Sequence, residues 1–373
     1  MVTPDLDDIS AWQYDLPAEL IAARPAPRRD ASRLMLVRRD TGTIEHCHTV
    51  DLPDLLNPKD RLVFNNTKVL PARLFGFRTS TGGRWEGLFL QEHPDGRWQI
   101  TGQTRGKLQT GESLTLIKAG LLAAADAKPP ENDVGPADTL ELQLTERLDD
   151  GTWLAAPKPS AVWQDRATLD LLESFGTLPL PPYIGRKVAD DNDRQRYQTI
   201  FARETGAIAA PTAGLHFTPE LLNECRRQGV KSSEVTLHVG IGTFRPVSAS
   251  RLSEHSMHAE WCCVSASAAQ EIAATKSAGG QIVAVGTTSV RTLEAASQAG
   301  TLNEWQGHTN LFIRPGYQFR TVDRLLTNFH LPGSTLIVLV AALSGYDLVM
   351  EAYRKAVEAG YRFYSYGDAM LIL

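Results

Sequence analysis

The stretch Ile282-Val283-Ala284-Val285-Gly286-Thr287-Thr288-Ser289-Val290-Arg291 runs from four apolar residues through a glycine and two hydroxyls into a helical pattern. A short unbroken apolar run predicts a strand covered on both faces, and the helix expected over 289–299 completes a strand-turn-helix unit. Working outward, residues 266–278 read as a helix stopped by Gly279-Gly280, and Val235, Leu237 and Val239 as a half-buried strand. Thr218 is placed as the N-cap of a helix with Pro219 in its first turn and Gly229 at its end, after a short apolar strand over 207–210. Nearer the N-terminus, 18–23 reads as a helix, and 33–37 and 61–64 as strands.

Between these α/β segments the pattern changes to β only. Leu140, Leu142 and Leu144 alternate with Glu141 and Gln143, and Pro94-Asp95-Gly96, Gly82-Gly83 and Asp149-Asp150-Gly151 supply turn chemistry between short strand candidates. Residues 128–136, with three prolines and a glycine, read as a loop. The fold class expected is α/β: a discontinuous α/β domain over 1–70 and 157–373, interrupted by a small all-β domain, a barrel or sandwich, over 71–156. A chain of 373 residues favours two such domains over one core.

The net charge of −5 argues against a wholly electrostatic nucleic-acid binder. Charge is uneven, however: Arg24, Arg28, Arg29, Arg33, Arg38 and Arg39 crowd one stretch with only Asp30 among them, so it reads either as a phosphate-lining patch or as a solvated face. The four cysteines form no CxxC pair, which fits reduced cytosolic thiols. The first ten residues are acidic and the longest apolar run, 336–343, is far short of the roughly 20 residues of a membrane helix. A cytoplasmic protein without membrane contact is expected.

Several loops carry chemistry. The 286–291 turn offers hydroxyls, free helix-start amides and Arg291, a combination that suits a carboxylate or phosphate or simply a well-capped helix. Gly240-Ile241-Gly242 lacks a third glycine and meets Pro246, so it is not a dinucleotide fingerprint. The adjoining strand places Thr236 and His238 opposite its apolar face, His238 being a core histidine or a functional one. Small residues over 209–214 precede His216 and Phe217, which suit acid–base work and base stacking, or the packing of a loop. His255, His258 and Glu260 do not have the His-Glu-x-x-His spacing; a hydrogen-bonded His258–Glu260 pair, or a polar turn, is expected and no metal. Residues 327–335 read as a helix-capping loop, and the aromatic run 361–366 before Asp368 as β core or as rings that stack on a base.

Taken in order, 14–22, 64–73, 180–184, 197–199, 206–217, 235–244, 255–260, 284–291, 327–335 and 361–370 resemble the S-adenosylmethionine:tRNA ribosyltransferase-isomerase family of queuosine biosynthesis, over almost the whole chain. Gln195, Trp261 and Gly333 depart from residues common in that family. The resemblance implies a large barrel-like α/β domain interrupted by a smaller Greek-key barrel. It further implies transfer of the ribosyl part of S-adenosylmethionine to 7-aminomethyl-7-deazaguanine at the tRNA wobble position, giving epoxyqueuosine, adenine and methionine. S-adenosylmethionine would be a consumed co-substrate, with no metal or redox cofactor, and the protein a monomer.

The sulfonium acidifies the C5′ protons and later departs, which calls for a base, a proton donor for adenine and exclusion of water. His216 or His238 is expected as base, with His258 and Glu260, or Asp368, assisting adenine departure. Thr287, Thr288, Ser289 and Arg291 are expected to hold the methionine carboxylate. Tyr183, Phe217 and Tyr364 are candidates for stacking, and Asn66, Arg73, Asn328 and His330 for other substrate contacts. The rival readings are an S-adenosylmethionine-dependent RNA methyltransferase, against which the missing glycine-rich loop counts, and a non-catalytic RNA-binding protein.

Overall fold

The computed structural model describes residues 4–122, 135–240, 242 and 249–373. Most of the loop expected over 128–136, and the glycine-containing stretch at 241 and 243–246, lie outside them. Two compact units separate, one of Met1–Lys68 with Arg196–Leu373 and the other Val69–Gln195. The second unit thus runs on past residue 156, where the sequence places the return to α/β, and takes in the helix Thr168–Phe175.

The larger unit is organised by a nine-stranded mixed sheet. Its spatial order is Trp305–Thr309, Glu260–Val264, Lys231–Leu237, Arg61–Asn65, Ile282–Val285, Arg324–Asn328, Ala369–Ile372, Arg33–Val37, Ile44–His48. The four strands from Lys231–Leu237 to Arg324–Asn328 are mutually parallel. Side chains alternate between two cores, as a strand's period of two requires. Val63, Ile282, Ala284 and Leu325 face one core, built with the helices Ala266–Ser277, Thr287–Ala296, Thr335–Ser344 and Tyr346–Glu358. Leu62, Phe64, Val283, Val285 and Leu326 face the other, covered by Leu221, Leu222 and Cys225 of the helix Pro219–Arg227. This double cover is why Ile282–Val285 is apolar at every position. Thr218 caps its helix by accepting from the Leu221 amide, with Pro219 at the first position, and Gly229 takes φ +92° just beyond the end. Among the described residues no single helix is long and apolar enough to cross a membrane.

Local expectations fail where long-range pairing wins. Residues 18–23 are not a helix: a 3₁₀ turn at Ala18–Leu20 ends where Ile21 bridges Phe363. The strand expected over 207–210 is instead Glu204–Ala207, and Ile208 then donates to the Val239 carbonyl. The aromatic run at 361–366 is a loop, and the last strand begins only at Ala369.

In the smaller unit six antiparallel strands close a barrel: Arg73–Arg78, Arg84–Glu92, Trp98–Thr104, Trp153–Lys158, Thr139–Arg147 and Ser113–Ile117, the last pairing back onto the first. Leu140, Leu142 and Leu144 point inward with Leu114, Leu116, Trp85 and Trp98. A Cβ on Gly102 would sit 2.6 Å from the Trp85 ring, so glycine is what lets the indole lie flat on the neighbouring strand.

Candidate active site

Within the larger unit a cleft opens at the carboxyl ends of Ile282–Val285 and Arg324–Asn328. Strand-end loops are where parallel α/β sheets bind ligands. The 209–213 loop forms one wall, and its alanines leave the backbone open to close approach.

One end of the cleft is charged. Gly286, at φ +88°, turns the chain into the helix Thr287–Ala296, which has no side-chain cap. Its first-turn amides therefore lack acceptors inside the helix. Arg291, one turn on, is buried against the carboxylate of Glu260. Its Nε donates to the Leu311 carbonyl at 3.2 Å and its Nη2 to that of Thr309 at 3.4 Å. The other Glu260 oxygen accepts from the Gly240 amide at 2.9 Å. Thr287 and Thr288 line the same region, and the Thr288 hydroxyl is buried without a hydrogen-bond partner.

The other end is uncharged and aromatic. Asn328, His330, Tyr197 and Tyr364 line it. His330 Nε2 lies 2.9 Å from the Thr327 hydroxyl, and burial pushes the imidazole down from 6.5 to about 3. Burial likewise raises the Tyr364 phenol to about 12 and Tyr197 above its ordinary value. Tyr364 is the only non-glycine residue with positive φ among those described, at +74°. Such a conformation in an aromatic residue is costly and persists only where the surroundings impose it.

His216 lies behind this wall and not on it. Its Nδ1 is 2.7 Å from the Ser32 hydroxyl and its Nε2 3.2 Å from the Asn328 amide nitrogen. Burial, and secondarily the Arg29 charge, hold it down at about 4. The ring is therefore neutral and both nitrogens are engaged.

Other expected residues are not in the cleft. Phe217 is fully buried, edge-on to Phe64 at 4.9 Å, so its ring is a core ring and not one offered to a base. Asp368 is a backbone clamp, accepting from the Arg33 amide at 3.0 Å and the Arg362 amide at 2.8 Å. Ser289 donates to the Val285 carbonyl at 2.9 Å, back across the strand-to-helix turn. Asn66 bridges Glu234 and the Thr236 hydroxyl. His238 meets the Thr67 hydroxyl at 2.8 Å and stacks on Trp261, its protonation disfavoured by burial. His258 is exposed, and among the described residues the ion-pair partner of Glu260 is Arg291. Arg73, paired with Glu86, and Tyr183 belong to the smaller unit.

The arginine-rich stretch also resolves into parts. Arg28 pairs with Asp30, Arg38 with Glu45, and Arg33 lies over the Tyr361 ring. Arg29 instead joins Arg196 beside a second, smaller pocket that also touches Ser365. Arg29 donates to the Leu215 and Gln198 carbonyls, Arg196 to those of Pro27 and Ala26. Burial and the like charge of Arg196 lower Arg29 to about 10, and the Arg196 Nε is buried without a partner. Arg196 carried no signal in the sequence, and Tyr197 only as part of the 197–199 block.

A mixed α/β chain with a closed six-strand barrel, large sheets and a two-ended cleft is the class defined so far. The chain matches the family described as "Queuosine biosynthesis protein" over residues 9–372, and it belongs to that family. It is 48% identical over 366 residues to the S-adenosylmethionine:tRNA ribosyltransferase-isomerase of Symbiobacterium thermophilum, covering 98% of this chain and 99% of that one. The protein of the same name from Pelobacter propionicus is 48% identical over 371 residues, with the same coverage. The crystal structure of S-adenosylmethionine tRNA ribosyltransferase from Thermotoga maritima is 36% identical, with a TM-score of 0.53, covering 98% of this chain and 100% of that one.

Proposed function

We propose that the protein transfers and isomerises the ribosyl group of S-adenosylmethionine onto 7-aminomethyl-7-deazaguanine at the wobble position of tRNA, releasing adenine and methionine and leaving epoxyqueuosine. The names of its near-full-length relatives support the reaction. The observation that carries it is a cleft whose two ends differ in chemistry. The charged end, with Glu260, Arg291 and an uncapped helix start, suits the ammonium and carboxylate of an amino acid. The neutral, ring-lined end suits a purine. Loss of adenine and later of methionine from a sulfonium involves no change of redox state, so neither a metal nor a redox cofactor is part of this reading. Arg29 and Arg196 are suited to a phosphate of the RNA beside the cleft.

The same reading takes the enzyme as a cytoplasmic monomer with a Greek-key barrel inserted in a barrel-like α/β domain; the six-strand closure supports the inserted half of that architecture. Incubation with labelled S-adenosylmethionine and precursor-containing tRNA tests the function. Adenine and methionine are the expected products, in reactions unaffected by EDTA. S-adenosylhomocysteine would establish a methyltransferase instead, and binding without turnover a passive RNA binder.

A further inference from the structure

The Asn328 side chain is fixed in polarity by residues distant in sequence. Its Nδ2 lies 3.1 Å from the Tyr364 carbonyl, 3.4 Å from that of Asp368 and 3.2 Å from His216 Nε2. An amide nitrogen has hydrogens to give and an amide oxygen has none, so a flipped side chain would set oxygen against two carbonyl oxygens. Oδ1 must therefore occupy the other side, as a pure acceptor. It is buried and has no partner in the protein, although Asn328 lines the cleft. Buried polar atoms are nearly always satisfied, so an orphan acceptor in a cleft wall points to a donor on the ligand.

The same logic assigns the proton on His216. Because Nε2 accepts from Asn328, the hydrogen sits on Nδ1 and is donated to the Ser32 hydroxyl. Ser32 is itself held by Thr49, 2.9 Å away. Burial keeps the imidazole neutral, which it must be for Nε2 to accept.

We infer that Asn328 Oδ1 accepts a hydrogen bond from the exocyclic amine of the donor's adenine, and that His216 is the positioning residue that holds the amide in this sense. The inference rests on the proposed reaction for the identity of the donor. The adenine is chosen over the amino-acid ammonium because a charged group is better matched by Glu260 and Arg291 at the opposite end. Around Asn328 stand the Tyr364 and Tyr197 rings and the neutral His330. A flat, uncharged base suits those surroundings.

The test is an affinity series on the wild-type protein by calorimetry, with S-adenosylmethionine, the analogue whose 6-amine is replaced by hydrogen, and the 6-oxo analogue. An acceptor at this place requires the order amine, hydrogen, oxo, with about 10- to 100-fold lost at the first step, the usual cost of one buried acceptor left unsatisfied. Asn328→Ala should bind amine and hydrogen analogues equally. His216→Leu should flatten the series while His216→Gln, which can still accept from Asn328 and donate to Ser32, restores it; melting curves establish that each variant is folded. Equal binding of all three by wild type, or an undiminished preference in folded Asn328→Ala, overturns the inference. So does a preference that follows removal of an amine from the RNA base and not from the donor. Turnover of the natural donor is scored separately: wild type that binds in the stated order yet releases no adenine with precursor tRNA would refute the reaction and leave Asn328 as the amine acceptor.

Discussion

At one end of the cleft Arg291 has partners on all three guanidinium nitrogens, from Glu260 and the carbonyls of Leu311 and Thr309. At the other, Asn328 commits its nitrogen to the protein and leaves its oxygen without a partner. At the first end the ion pair is complete before any ligand arrives, a fixed dipole against which a zwitterion can be oriented, although the Thr288 hydroxyl beside it has no partner. The second is deliberately incomplete in its hydrogen bonding. Burial makes both arrangements consequential, since a buried ion needs a counter-ion and a buried acceptor needs a donor.

The largest effect should come from breaking the complete end. Arg291→Met leaves the Glu260 carboxylate buried without its partner and should cost about 3–5 kcal/mol of stability, read by urea denaturation. The double variant Glu260→Gln with Arg291→Met should recover most of that stability and none of the turnover. An Arg291→Met protein as stable as wild type would mean that the pair does not hold this end.

The incomplete end predicts a pH dependence. His216 and His330 are held at about 4 and about 3, below the ordinary 6.5. Unfolded chains therefore bind more protons than folded ones between those values, and the stability from burying neutral imidazoles is present above 6.5 and lost as the pH falls toward 4. The slope is at most about 1.4 kcal/mol per pH unit for each histidine. His216→Gln should remove one histidine's share of it; an unchanged difference in stability between pH 7 and pH 5 would mean that His216 is not buried neutral.

Smaller effects should fall outside the cleft. Arg196→Ala should raise KM for tRNA by about 3- to 10-fold, flatten its salt dependence and leave donor affinity unchanged. An unaltered salt slope would place the phosphate contact elsewhere. His238→Gln, outside the cleft and still able to hydrogen-bond, should change kcat by less than about threefold, against the roughly 10²- to 10⁴-fold that loss of a general base would cost. A collapse of kcat there would return His238 to the role of base and move the chemistry away from the two-ended cleft.

Ile282–Val285, the Thr218-capped helix and the inward leucines of 140–144 were legible because each is a local pattern: a run, a cap, an alternation. Part of the site was legible in the same way. Thr287, Thr288 and Arg291 follow a strand directly into a helix, and that turn does line the cleft. Phe217, read as a stacking ring, has the same local sequence signature as a loop aromatic that faces a ligand. Its contacts with Phe64 and Phe201, remote in the chain, make it core. Glu260 was read beside its neighbour His258, but folding gives it Arg291, 31 positions away.

Periodicity and turn chemistry, which act over a few residues, were enough to establish the α/β class, the β-only middle segment and the strand-to-helix turn. The direction in which Asn328 presents its amide, the proton on His216 and the identity of Glu260's partner came from tertiary structure alone. Each depends on which atoms of remote segments are brought within hydrogen-bond distance after the sheet has formed, and a one-dimensional pattern carries no such distances.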